Sequence, residues 1–176
     1  MTLPSRAREA AGLILGFWLA LTIMGPLGNP RADAVQTPSD TARYAPLEAR
    51  MHAAINGSRR KHHLVELRRE SLLDAIARAH SEDMAARSYL SHDTPEGLSP
   101  VDRLERGGAD GFTLAGENVG KTGVAEPHDE IYEAWLASPV HRHNLLAPAF
   151  NATGIGVARA LNGTYYYSQV FVTYPR

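Results

Sequence analysis

The sequence predicts an α+β domain, and three observations carry that prediction. Apolar residues recur at helical spacing over two long segments. Two later segments alternate in the manner of strands. Between them Asn162-Gly163 is a strong hairpin signal. Length sets the scale, since 176 residues and 19.2 kDa amount to one domain of ordinary size.

Each element has its own warrant. Leu47, Met51, Ala54 and Ile55 share one face of a helix expected from about Pro46 to Lys61, with Pro46 in its first turn. The polar stretch 35–45 ahead of it reads as a linker. Ser71 is the expected N-cap of a second helix running to about Ser88, with Leu72, Leu73, Ile76, Ala77, His80 and Met84 along one face. Ser99-Pro100 opens a short helix that Gly107-Gly108 stops, and Phe112 to Gly120 reads as a strand. Pro127 to Ala137 is a helix with Ile131 and Trp135 facing the core. Ser138-Pro139 repeats the cap-and-proline signal and starts a short helix through Leu146. The hairpin strands are Thr153–Ala160 and Thr164–Thr173. The sum is four or five helices and about three strands.

Composition removes several function classes. Lys and Arg number 18, Asp and Glu 19, and no basic stripe is present, which argues against nucleic-acid binding. Cysteine is absent, so there is no disulfide scaffold, thiolate metal site or cysteine nucleophile. No phosphate-binding glycine loop, nucleophile elbow or H-E-x-x-H helix occurs.

Residues 1–34 read as an export signal. Arg6 and Arg8 precede an apolar run from Ala10 to Leu27, a Gly25-Pro26 break and an Ala32-Asp33-Ala34 end. The run is slightly short for a full membrane span, which takes about 20 residues. The expectation is cleavage near Ala34, leaving a secreted or periplasmic product. If the signal is retained, the protein is membrane-anchored. Without residues 1–34, the chain keeps 15 basic and 17 acidic side chains.

The eight histidines are the richest chemical material. His62 and His63 sit in a basic loop and read as surface. His52 and His128 read as exposed, and His80 as a core residue. His141 and His143 lie two apart, so at most one of them faces a site. His92 follows a long helix in a turn-rich loop. Glu117 is a carboxylate inside an apolar strand, where it needs a partner. Taken one at a time, His92, Glu117 and His141 have a plainer reading, a histidine–carboxylate hydrogen bond that merely fixes loops.

The runs Ala79-His80-Ser81-Glu82-Asp83-Met84, Tyr89-Leu90-Ser91-His92 and Ser99-Pro100-Val101-Asp102-Arg103-Leu104 resemble the bacterial branch of the CAP (SCP-like) superfamily. So do Gly116-Glu117-Asn118-Val119 and the run from Ala134 to Leu146. Asn56 and Arg59 resemble the family's opening motif, and Gly154–Val157 and Tyr167–Phe171 its closing strands. The resemblance covers residues 46–172 and makes 46–176 the CAP domain. It implies an α-β-α sandwich with a three-stranded antiparallel sheet between helical layers. It also implies a central cleft, which in animal members holds two His and two Glu and can bind a divalent metal. Carried over, His92 and His141 match the two histidines and Glu117 the first glutamate. The second glutamate is replaced by Ser138, and Glu133 lies about a turn and a half earlier on its helix.

The resemblance implies a secreted binding or effector module for a lipid, cell-wall or protein ligand. It places zinc or another divalent metal at His92 and His141, with Glu117 as a third candidate ligand. A metal-dependent hydrolase acting on cell-wall or peptide bonds is the alternative reading, with the same three residues as catalytic candidates. The lost second carboxylate favours the first.

Overall fold

The computed structural model describes residues 38–175. The export signal read at 1–34 and the first residues of the stretch 35–45 lie outside them. The described chain runs α1 (Pro38–Lys61), β1 (Arg68–Arg69), α2 (Ser71–Arg87), α3 (Pro100–Arg106), β2 (Leu114–Thr122), α4 (Pro127–Ala137), α5 (Pro139–Leu146), β3 (Ala152–Arg159) and β4 (Tyr165–Thr173).

The sheet order is β1-β3-β4-β2. The antiparallel core of β3, β4 and β2 is the expected three-stranded sheet. A fourth strand corrects the count: β1 pairs in parallel with β3 through Arg68 and Arg69. Two charged residues carry no alternation, so the pattern gives no sign of it. The β3–β4 hairpin turns at Asn162-Gly163 as expected. Gly163 has φ 91°, and its N–H donates to Ala160 O.

Side chains alternate across the sheet and create two layers. Leu73, Ile76 and Ala77 of α2 and Leu104 of α3 pack with Ala152, Val170 and Val172 on one face. On the other face Met51, Ile55, Ile131, Trp135 and Leu145 of α1, α4 and α5 pack with Ile155, Val157, Tyr167 and Phe171. Trp135 is buried as expected, and its indole N–H donates to Val119 O.

Both sheet edges are closed by side chains. Beyond β1, the β3 amides of Ile155 and Val157 donate to Asp74 Oδ1 (2.8 Å) and Glu48 Oε1 (3.4 Å). Arg69 and Arg78 pair with these two buried carboxylates. On the far edge, the β2 carbonyls of Glu117 and Val119 accept from Asn144 and Trp135. Unpaired edges invite pairing with another chain, and this sheet leaves little to pair with.

Two helix starts differ from expectation. α1 begins at Pro38, so residues 38–45 are helix rather than linker, and Pro46 lies inside it. Proline removes one helix hydrogen bond there. The upstream turns are held by Tyr44, which meets the Tyr165 ring edge-on at 6.3 Å. Ser71 is the first residue of α2; its N-cap is Glu70, with no side-chain cap. The Ser99 expectation holds in full, as a capping box with Asp102. Ser138 ends α4 and starts α5, but its hydroxyl makes no cap bond.

Candidate functional site

The site forms at the β2 edge, where both helical layers meet one strand. Glu117 and Asn118 are neighbours in β2, so their side chains leave opposite faces. Glu117 points to the α2–α3 layer and Asn118 to the α5 side.

Glu117 is buried and holds three partners. Oε1 accepts from Arg103 Nη2 (2.6 Å) and Ser168 Oγ (3.1 Å). Oε2 accepts from His92 Nδ1 (2.9 Å). An ionised carboxylate only accepts, so the pairing places a hydrogen on Nδ1 of His92. Nε2 then faces outward, with no hydrogen-bond partner among the described residues. The His92 side chain is half exposed.

The loop that carries His92 is fixed at several points. Ser88 ends α2 in the left-handed region, φ 57°. His80 Nε2 donates to Ser91 O (2.9 Å). Arg103 Nη1 donates to the carbonyls of His92 (2.6 Å) and Leu98 (3.0 Å). One guanidinium thus grips both the backbone of His92 and the carboxylate that orients its ring.

On the other layer, Asn144 Nδ2 donates to Glu117 O and to Asn118 Oδ1. Asn118 Nδ2 donates to His141 O (3.1 Å) and so docks the first turn of α5. His141 is partly buried, and neither of its ring nitrogens has a hydrogen-bond partner among the described residues. His143 is exposed, so His141 is the inward member of that pair.

The two site histidines titrate in opposite directions. The hydrogen bond to Glu117 raises the His92 pKa against the opposing effect of burial. Burial lowers that of His141, helped by the nearby charge of His92. The structure therefore brings His92 and Glu117 into contact and sets His141 within electrostatic range of His92. It does not gather all three as metal ligands: among the described residues, no three His, Asp or Glu groups stand close enough to hold an ion. Both Glu117 oxygens are already engaged. Glu133 is exposed and takes no part.

Sequence reasoning missed Arg103, Ser168, Asn118 and Asn144 as site residues. All four lie inside the motif runs, which was the available signal. His52 and His128 also differ from the surface reading. His52 is half-buried, with Nε2 on Leu67 O, and His128 is buried against Tyr132.

Burial lowers the pKa of His80, which is 2% exposed. A lowered folded-state pKa means stability that is complete above the ordinary histidine value of about 6.5 and is lost as pH falls through the folded value. His128 and His141 act in the same direction. His92 acts oppositely, giving stability below about 6.5 that is lost as pH rises through its raised value. Urea midpoints are expected to fall between pH 7 and pH 5 by a smaller amount in His80→Gln than in wild type. An equal fall in both proteins would remove His80 from the account.

An α-β-α sandwich with a histidine–carboxylate pair on its edge strand defines a class of small domains. Within that class the chain belongs to the CAP, or cysteine-rich secretory protein, family, whose sequence model matches residues 52–172. The chain is 35% identical over 119 residues to the uncharacterized Bacillus subtilis protein YkwD, covering 68% of this chain and 44% of YkwD. It is 38% identical over 117 residues to the uncharacterized Bacillus subtilis membrane protein YlbC, covering 66% of this chain and 32% of YlbC. The chain thus spans less than half the length of these relatives. Among solved structures, it resembles an SCP-domain extracellular protein from Bacillus anthracis at TM-score 0.67 and 32% identity, covering 78% of this chain and 44% of that one. It shares its fold with an outer surface protein of Borrelia burgdorferi at TM-score 0.68 and 18% identity, over 75% and 96% of the two chains. Among the described residues, no helix is long and apolar enough to cross a membrane.

Proposed function

We propose that the protein is an exported CAP-domain binding module whose cleft takes a divalent metal through His92 Nε2 and His141. The observation that carries this reading is the outward Nε2 of His92, with Nδ1 tied to buried Glu117. Metal-binding histidines characteristically donate their other ring N–H to a carboxylate or carbonyl, which fixes the ring and its tautomer. The donor set fits a borderline cation such as zinc, with two imidazoles from the chain and the remaining positions open to solvent or ligand. Glu117 acts as the orienting acceptor, held by Arg103 and Ser168, and not as a ligand. A bound metal would supply Lewis-acid attraction for an oxygen or nitrogen donor of the ligand. The proposed ligand is a lipid, cell-wall or protein group at the envelope. Export is supported by the charged-then-apolar start of the sequence. A structural relative at 32% identity is an extracellular protein, which points the same way.

Zinc titration calorimetry on the purified domain tests this. His92→Ala and His141→Ala are each expected to remove most binding, and His143→Ala to leave it unchanged. Glu117→Gln is expected to weaken binding roughly 10–100-fold, the usual effect of losing an outer-shell partner. Protons compete for imidazole, so affinity is expected to fall as pH drops from about 7.5 to about 5.5. Full affinity in His92→Ala, or no binding by wild type, would leave the cleft as a hydrogen-bonded loop clamp.

A further inference from the structure

The hairpin end of the sheet carries an arrangement that the cleft does not use. Leu161 at the β3–β4 tip is fully exposed. Val124, in the connection after β2, is also exposed. At the same end of the sheet three cations lie over aromatic rings. Arg159 lies 5.0 Å from the Tyr165 ring centre, Arg43 5.5 Å from Tyr44, and Lys121 6.0 Å from Tyr166. Strand register puts Arg159 opposite Tyr165, and Tyr165 opposite Thr122, the last residue of β2. The Tyr44–Tyr165 contact brings the start of α1 to the same end. Arg159 and Lys121 have no carboxylate within salt-bridge distance among residues 42–175. The neighbouring acids are occupied: Glu126 and Asp129 pair with Arg50, and Glu130 accepts from Thr122.

A lone exposed leucine needs no explanation. A leucine at a tip, with half-buried Tyr44 and Tyr165 and the cations Arg159 and Lys121 at the same end of the sheet, has the chemistry of a water–bilayer interface. There an apolar group enters the acyl boundary, tyrosine sits at headgroup depth, and Lys or Arg meets anionic phosphate. Chain connectivity points the same way. Pro38 of α1 follows the apolar run that ends at Leu27 by only ten intervening residues. While that run sits in a bilayer, before cleavage or without it, the start of α1 is tethered close to the headgroups.

We propose that this hairpin end, with Leu161 at its tip, docks on an anionic phospholipid surface. The proposal uses no residue of the cleft, so its failure and that of the metal reading are separable. The chain has no cysteine, so Leu161→Cys offers a single labelling position. Val65→Cys, at an exposed site beyond the other end of α1, is the control. The full chain is labelled with an environment-sensitive fluorophore and reconstituted in phosphatidylethanolamine–phosphatidylglycerol vesicles containing nitroxide lipid. Quenching at position 161 is expected to exceed that at 65 at least about twofold. Replacing Arg159 and Lys121 by serine is expected to remove most of the difference, since one cation near an anionic surface changes partition about fivefold. Equal quenching at 161 and 65 would overturn the proposal. So would protection of the 161 label by a soluble anionic cell-wall polymer and not by vesicles.

Discussion

Placing a methyl group on Gly156 is expected to leave little or no cooperatively folded protein, because α2 lies directly on β3 at that point. A Cβ there would stand 2.1 Å from Arg78 N, 2.2 Å from Arg78 Cα and 2.3 Å from Ala77 C. Comfortable carbon contacts begin near 3.5 Å, so helix and strand would have to part by more than about an ångström. The obstacle is backbone, so no rotamer change relieves it. Gly154, two residues earlier on the same face, meets Leu73 and Asp74 equally closely. Ordinary overpacking costs about 1–3 kcal/mol. Here α2 would lose its seat along the whole strand, and a total stability of about 5–15 kcal/mol leaves little reserve. Gly57 supplies the contrast. It lies inside α1, where the nearest atom to an added Cβ is the flexible end of Arg60 at 3.8 Å. Gly57→Ala is expected to stabilise by about 0.5–1 kcal/mol through helix propensity. Denaturation curves of the two variants decide the matter. A wild-type midpoint for Gly156→Ala would show that α2 is not seated on β3 as described.

Replacing Arg59 by methionine is the second large effect. Arg59 is fully buried in α1, yet its guanidinium meets no carboxylate among the described residues. It donates instead to four carbonyls: Nε to Val65 (2.9 Å), Nη1 to Leu145 (2.9 Å) and Ala147 (3.0 Å), and Nη2 to Phe150 (3.2 Å). Three of these belong to buried residues in the segment that ends α5 and leads to β3. Burial lowers the Arg59 pKa, but a guanidinium keeps its charge in proteins. Methionine fills similar volume and strips four acceptors of their donor. Leaving a buried acceptor without its donor typically costs about 1–3 kcal/mol, and several are stripped at once here, so the loss is expected to be large. Lysine keeps the charge but not the planar fork, so Arg59→Lys is expected to recover only part of the loss. Because the segment continues α5, the methionine variant is also expected to broaden the NMR signals of His141. A stability loss under about 1 kcal/mol would mean the carbonyls find other partners.

The larger architecture was legible because it rests on patterns that sequence carries directly. Helical spacing marked α2 and α4, and the Asn-Gly turn located β3 and β4. Ser99-Pro100 marked α3, where the hydroxyl does form a capping box. The upstream turns of α1 were not legible, since Pro46 reads as a helix start and the contact that holds Tyr44 comes from β4. β1 was hidden because two arginines have no apolar face to show. At the site, a carboxylate among apolar residues singled out Glu117. The Arg103 grip was invisible because arginine is usually a surface residue and its three acceptors are scattered along the chain. Arg59 is the same case, with acceptors as many as 91 residues away. Histidine burial was likewise set by tertiary partners: His128 stacks on Tyr132 at 6.2 Å, which a first-turn position does not announce.

The central claim is that Glu117 orients His92 so that Nε2 and His141 receive a metal between them. Zinc-edge anomalous diffraction from crystals soaked in zinc near pH 8 tests it most directly. The account predicts one strong peak about 2.0–2.1 Å from His92 Nε2 and from a ring nitrogen of His141. In the same map Glu117 is expected to remain on His92 Nδ1 and Arg103. A peak bound by Glu117 after release from Arg103, a peak away from both histidines, or no peak in a fully soaked crystal would contradict it.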